Sequence, residues 1–445
     1  MCSSDLLESL SPQVQALRDK LELFVIKECQ PAELEYEAHM KTRLGADRWT
    51  LEAIPPCVER LKKSAKQLGL WNLFIPPHLI PNLPDRSMGP SLPLTFREYG
   101  MLCETMGKSF LAPEACNCNA PDTGNMEVLL HHGTDEQKEK FLVPLLNGTI
   151  RSAFLMTEPN VASSDATNME TTLKRTETNG NISYVLNGRK WWSTGAMDPR
   201  CKVALVLAKM DYSESSVQQN VENKHGGQTV VLIEMSDPGV TMVRALQVFG
   251  YDDAPHGHAE VDLNNIRCTP SSIIIGEGKG FIVAQTRLGP GRIHHCMRAI
   301  GMAQRCYDLM LMRALTRKTF GKMLAEHGGC QEMIADSASD LDAARVLTLA
   351  CADRMDRFGA IQTRDKISSI KVSVPELTSR VVDRAVQIFG GAGVSDDFPL
   401  AKILVGLRSL RIADGPDAVH KRTVALLEIK RAKAELMDRM SKSRL

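Results

Sequence analysis

Four stretches of this 445-residue chain gather residue types that could do chemistry. Phe154-Leu-Met-Thr-Glu-Pro159 leads to Ser163-Ser164-Asp165, and Lys190-Trp-Trp-Ser-Thr194 sets two indoles beside two hydroxyls. Arg317-Lys-Thr-Phe-Gly-Lys322 is cationic. Gln387-Ile-Phe-Gly-Gly391 ends in paired glycines and is followed by Ile412-Ala-Asp-Gly-Pro416, which puts a carboxylate in a turn. Glycines such as Gly390-Gly391-Ala392-Gly393 close a helix or let backbone approach a cofactor. Gly276-x-Gly278-x-Gly280 lacks the G-x-G-x-x-G spacing of a dinucleotide loop, and no P-loop is present. His256-Gly-His258 beside Asp252 and Asp253 lacks further ligands at a recognisable spacing, and His294-His295 points two ways on a helix. The closest of twelve cysteines, Cys116 and Cys118, have no second pair, so reduced thiols are expected and no metal site.

The elements that must position these residues follow from periodicity. Ser11-Pro12 opens a helix whose stripe is Val14, Leu17, Leu21 and Phe24. Further helices are expected at 50–69, 95–107 and 134–147, with a proline-interrupted loop at 74–94. From Ser152 to about Ile275 short valine- and isoleucine-rich runs indicate strands, with Asn187-Gly188 as a hairpin turn and a polar hairpin loop at 211–226. After Gly280 the helical period returns: Ile334, Leu341, Thr348, Cys351 and Met355 form one stripe, Val381, Ala385 and Ile388 another, the Met and Leu residues of 297–312 read as core, and 417–437 is a last helix. The expected fold is multidomain α+β: an N-terminal helical domain (1–151), a central β-barrel-like domain (152–275) and a C-terminal four-helix bundle (276–445).

With 54 basic and 53 acidic residues the chain has no overall positive field, so neither nucleic acid nor an anionic membrane surface is an expected partner. No run of 18 apolar residues spans a membrane, and early acidic residues (Asp5, Glu8, Asp19) argue against a mitochondrial presequence. The terminal Ser443-Arg444-Leu445 is a conservative variant of the S-K-L address, so peroxisomal localisation is expected.

In this order, on a helix–sheet–helix chain, the four stretches resemble the acyl-CoA dehydrogenase family over residues 10–440. Val161-Ala-Ser-Ser-Asp165, the run from Leu288 to Arg298 and Ala413-Asp-Gly-Pro-Asp417 look like a branch often fused to an aminoglycoside-phosphotransferase-like kinase, which this chain is too short to include. The resemblance implies FAD and an acyl-CoA substrate, with long, branched or hydroxylated chains associated with the branch. It places the flavin against Phe154, Met156 and Thr157 on one strand and Trp192, Ser193 and Thr194 on another. Period-two alternation allows one of Trp191 and Trp192 to face inward. Ser164 matches a contact to acyl-CoA and the flavin diphosphate, in a loop one residue longer than the commonest pattern. Arg317, Gln387, Gly390 and Gly391 correspond to residues that reach a neighbouring subunit's FAD, implying a homodimer or homotetramer. His327 is kept but Gly328 replaces a common glutamine.

Most relatives carry the catalytic base as glutamate in the turn that here reads Ile412-Ala-Asp-Gly-Pro416. A minority place it on the helix beginning Gly289-Pro-Gly-Arg292, where the equivalent position is Gly291. Asp414 is thus the matching base, with Arg292 and Gly415 beside the substrate. The expected reaction is α,β-dehydrogenation to the 2-enoyl-CoA, with electrons passed to electron-transfer flavoprotein. A peroxisomal oxidase using O₂ and a non-catalytic acyl-CoA- or DNA-binding relative are the alternatives.

Overall fold

The computed structural model describes residues 10–214 and 227–442. Residues 215–226 of the expected polar loop and Ser443-Arg444-Leu445 lie outside the described residues. By contact the described residues form two compact units, one gathering 19–94 with 109–214 and 227–291, the other taking 10–18, 95–108 and 292–442.

In the first unit the helices α2 (Gln30–Lys41), α3 (Pro56–Gln67), α5 (Ala112–Ala115), α6 (Asp122–His132), α7 (Asp135–Gln137) and α8 (Val143–Asn147) accompany a seven-stranded sheet. Its strands are β1 (Arg151–Leu155), β2 (Thr172–Thr178), β3 (Asn181–Thr194), β4 (Cys201–Glu214), β5 (Gln228–Glu234), β6 (Val240–Leu246) and β7 (His258–Cys268). The spatial order is β1-β4-β2-β3-β7-β6, with β5 also paired to β4. Alternate residues such as Leu173, Tyr184, Leu186, Val206, Val231, Val261 and Ile266 form its core.

The expected hairpin at Asn187-Gly188 is corrected. β3 runs unbroken through it, and the turn between β2 and β3 is made by an earlier Asn-Gly pair, Asn179 (φ 53°) and Gly180 (φ 78°). Left-handed φ at both central residues suits a tight hairpin with the strands' own twist. Asn187-Gly188 instead forms a bulge against β7. There Asn187 Oδ1 accepts from the Asn265 amide at 2.8 Å, and a Cβ at Gly188 would lie 2.4 Å from Thr171 Oγ1.

In the second unit, α9 (Gly280–Thr316) contributes its residues from Arg292 on, followed by a small hairpin of β8 (Lys318–Thr319) and β9 (Lys322–Met323). Helices α10 (Gly328–Gln362), α11 (Arg364–Phe389), α12 (Leu400–Leu410) and α13 (Asp417–Lys442) complete the C-terminal part. Leu341, Thr348, Cys351 and Met355 are buried, as are Val381, Ala385 and Ile388. Met297 and Met310 join the core, whereas Met312 is exposed.

Helix α4 (Phe96–Gly107), capped by Thr95 and Glu98, belongs with the C-terminal helices. Glycines explain the close packing: a Cβ at Gly107 would sit 2.3 Å from the Arg298 carbonyl oxygen, and one at Gly301 2.0 Å from that of Glu104. Arg345 of α10 then joins Glu104 on α4 and Gln304 on α9 through bonds of 2.8 and 3.0 Å. Hydrophobic period marks α4 as a helix, but only tertiary contact decides which helices it packs against.

Candidate active site

In the unit that holds the sheet, the end of β1 and the C-terminal half of β3 are joined by a buried ion pair. Lys190, fully buried, donates to Glu158 Oε1 at 2.8 Å and to the carbonyls of Met156 and Leu207 at 3.0 and 2.7 Å. Burial pushes this ammonium down to about 8 against the pull of Glu158. Burial also opposes charge on Glu158, yet the ammonium holds that carboxyl below its usual range. Glu158 is fixed further by the amides of Glu170 (2.7 Å) and Thr171 (3.0 Å), and its own amide donates to Ser163 Oγ at 2.9 Å. This shapes the longer loop after Pro159 and leaves Ser164 exposed. Glu158 and Lys190 were present in the motifs without a role; a buried pair between two strand ends has no local sequence signal.

The Trp191 amide donates to the Thr157 carbonyl at 2.9 Å, bringing the two expected flavin-facing segments side by side. Simple alternation fails at the tryptophans. A register shift falls between Lys190 and Ser193, and Trp192 adopts φ 50°, so both Lys190 and Ser193 are buried while Trp192 stays 41% exposed. Thr194 Oγ1 lies 3.0 Å from His258 Nδ1, whose other nitrogen faces Asp253 at 3.1 Å. His256 approaches Asp198 instead, so the two histidines of the His-Gly-His run take separate partners. Phe154, half-buried, lies under the Arg287 guanidinium at 4.3 Å.

These residues fit a flavin. Ser193 Oγ and Trp191 Nε1 are buried without a hydrogen-bond partner, a state that costs about 1–3 kcal/mol per group and that polar edges of a bound ring would relieve. Trp192 adds an exposed aromatic face, and Met156 and Thr157 are half-buried on the neighbouring segment.

The second unit holds Asp414. It has φ 55° and is followed by Gly415 at φ 103°, a turn only a short polar residue and a glycine accommodate easily. Its carbonyl oxygen accepts from Arg292 Nε (3.2 Å), Arg292 Nη2 (3.1 Å) and His420 Nε2 (3.1 Å). Lys371 Nζ holds the adjoining carbonyls of Leu410 (2.5 Å) and Gly415 (3.4 Å). Arg411 pairs with Asp417 at 2.6 Å across the turn. Burial lowers Arg292 from its ordinary range with Asp414 opposing, and burial followed by the Arg292 charge pushes His420 down to about 4. A carbonyl acceptor requires a hydrogen on Nε2.

Arg292, expected beside the substrate, is therefore engaged with the backbone of Asp414. The carboxylate itself stays partly accessible, with His295 Nε2 at 3.4 Å from Oδ2. The His294-His295 pair splits, since His294 is buried edge-on to Tyr99 with ring centroids 4.6 Å apart. Lys371 was missed by sequence reading because its contacts span 39 and 44 residues, and His420, six residues after Asp414, because nothing local marks a helix histidine as turning back onto the turn.

Arg317 lies at the end of α9, exposed and without a side-chain partner among the described residues. One turn earlier Arg313 covers the Phe389 ring at 5.2 Å, which brings the Arg317 end of α9 near the Gln387-to-Gly391 end of α11. Gln387, Gly390 and Gly391 are exposed, Gly390 has φ 63°, and a Cβ at either glycine would meet nothing within 4 Å. His327 Nε2 faces the Thr319 carbonyl at 3.2 Å and fastens the hairpin after Arg317.

Three family models match consecutively: the acyl-CoA dehydrogenase N-terminal domain over residues 11–149, its middle domain over 153–265 and its C-terminal domain over 278–426. FadE2 of Mycobacterium tuberculosis, described as a probable acyl-CoA dehydrogenase, is 44% identical over 427 residues, covering 96% of this chain and 98% of FadE2. The chain belongs to the acyl-CoA dehydrogenase family. Acyl-CoA dehydrogenase family member 11 of Gallus gallus is 46% identical over 412 residues, 92% of this chain but 50% of the relative, so the chain spans about half the length of that protein. Among solved structures, butyryl-CoA dehydrogenase from Megasphaera elsdenii superposes with a TM-score of 0.75 at 24% identity, covering 95% of this chain and 99% of that one, a likeness of fold. The three matches give the chain the family's helical, β and helical parts in order.

Proposed function

We propose that the chain oxidises an acyl-CoA thioester to the 2-enoyl-CoA, with Asp414 as the base that takes the α-proton. The β-hydrogen leaves with its electron pair, and bound FAD supplies the acceptor for that hydride. The observation that carries this reading is the turn at Asp414, whose backbone is fixed by Arg292, His420 and Lys371 while its carboxylate remains partly accessible. A base must be aimed to within a fraction of an ångström, and a misplacement of about 1 Å can cost about 100-fold. Aspartate is one methylene shorter than the glutamate of most relatives, so the fixed backbone replaces reach with position. Ser164 and Gly415 serve the substrate, and Phe154, Met156, Thr157, Trp192, Ser193 and Thr194 the flavin.

Arg317, Gln387, Gly390 and Gly391 serve a second subunit's FAD in a homodimer or homotetramer. Their exposure, with Phe320 96% exposed at the hairpin tip, supports this role. We assign the chain to the kinase-associated branch, with medium, long, branched or hydroxylated acyl chains in β-oxidation, a peroxisomal address and electron-transfer flavoprotein as acceptor. Reoxidation in air separates this from the oxidase alternative. No helix among the described residues is long and apolar enough to cross a membrane.

Asp414→Asn tests the reading. The amide keeps shape and loses proton acceptance, so the protein stays yellow and binds acyl-CoA while flavin reduction falls at least about 100-fold. Rapid anaerobic bleaching of the variant by a good substrate would refute the assignment.

A further inference from the structure

Arg292, His295 and Arg298 follow one another at three-residue intervals on α9, which keeps them on neighbouring turns of one face. The first grips the Asp414 carbonyl. The second faces the Asp414 carboxylate, Nε2 to Oδ2 3.4 Å. The third places Nη2 3.2 Å from His295 Nδ1. A guanidinium has donors and no acceptor, so Nδ1 must accept. The hydrogen of a neutral His295 ring is then on Nε2, the nitrogen that lies 3.4 Å from the carboxylate oxygen.

We propose that His295, set in its Nε2–H form by Arg298, is a positioning residue that orients the Asp414 carboxylate and favours its ionised state. The proposal rests on Asp414 being the base. Burial of Arg298, 6% exposed, keeps its guanidinium in place, so the tautomer is imposed by the fold rather than by solvent. A donor to the charged form of a carboxylate stabilises that form, and the same contact restricts its rotation.

Arg292, Lys371 and His420 also couple electrostatically to Asp414, but their hydrogen bonds go to backbone carbonyls and do not orient its carboxylate. On α9, Arg292 is spent on backbone and burial holds His294 well below its ordinary range. From α11, Lys371 is fixed on carbonyl oxygens, while Arg364 contributes only an electrostatic influence on Arg292. From α13, His420 binds the Asp414 carbonyl. His295 alone among these is placed with a ring N–H toward the carboxylate oxygens.

The test follows anaerobic flavin reduction in the holoenzyme, using the best substrate from a panel running from butyryl-CoA to stearoyl-CoA. In His295→Ala the reduction rate at about pH 6 falls about tenfold, but at about pH 9 it stays within about threefold, because losing a donor to the charged form raises the carboxyl's proton affinity and so costs most at low pH. The substrate concentration for half-maximal reduction changes little. His295→Gln, whose amide can donate, restores most of the rate at about pH 6. Independently of turnover, ¹⁵N NMR of His295 shows hydrogen on Nε2 in the parent protein and a mixture of tautomers in Arg298→Gln. Equal losses at both pH values, absence of rescue by glutamine, or an Nδ1–H ring would overturn the proposal while leaving Asp414 as base. Undiminished reduction in Asp414→Asn would overturn the base assignment and this proposal with it.

Discussion

Gly415→Ala perturbs the turn without touching the carboxylate. Gly415 has φ 103°, and a Cβ there would lie 2.7 Å from His420 Nε2. Two costs follow. An alanine at this φ is strained by about 1–3 kcal/mol, and moving the imidazole ring aside forfeits its hydrogen bond to the Asp414 carbonyl, about 1 kcal/mol more. The sum leaves a normally stable protein folded and lowers Tm by roughly 2–4 °C per kcal/mol in units of this size. The effect on chemistry is larger, because a shift of Asp414 by about 1 Å costs about 100-fold in the rate of flavin reduction. Differential scanning fluorimetry and anaerobic stopped-flow bleaching measure the two separately. His420→Ala removes the clash, so the double variant should lose less than the two single losses combined. A Gly415→Ala enzyme with unchanged Tm and unchanged reduction rate would refute this reading of the turn.

Arg317→Ala should leave the melting temperature nearly unchanged, since the side chain has no partner among the described residues, yet weaken FAD retention at least about tenfold by removing a charge-assisted pair, as read by flavin release on dilution. A fluorescent tag at Met1 should report peroxisomal import that disappears when Ser443-Arg444-Leu445 is deleted; a cytosolic signal from the intact tail would remove the localisation. His420 is held near 4 in the folded protein, below its value of about 6.5 when unfolded, so the unfolded chain takes up that proton first. Stability present above about pH 6.5 is therefore lost as pH falls toward 4, by at most about 3 kcal/mol, and His420→Gln should flatten that part of the urea-midpoint profile.

The order of helices, strands and helices was legible in the sequence because hydrophobic period is a local property. Val14, Leu17, Leu21 and Phe24 are buried as one stripe of α1 (Pro12–Phe24), and the valine-rich runs between Ser152 and Ile275 are strands. The aspartate in a glycine-containing turn was legible for the same reason, as turn chemistry is written in adjacent residues. Choosing between Asn179-Gly180 and Asn187-Gly188 was not local. Both pairs can turn, and strand register with β7 decided that the second becomes a bulge. The placement of α4 with the C-terminal helices likewise came from the close approach at Gly107 and Gly301. Arg292 and Asp414 are 122 positions apart, and Lys371 reaches Gly415 across 44. Such partners depend on how helices cross, which residue spacing within a helix does not encode. Sequence therefore determined which groups are available for chemistry, and tertiary packing decided their hydrogen-bond partners, the burial of Lys190 and His420, and the direction in which His295 faces.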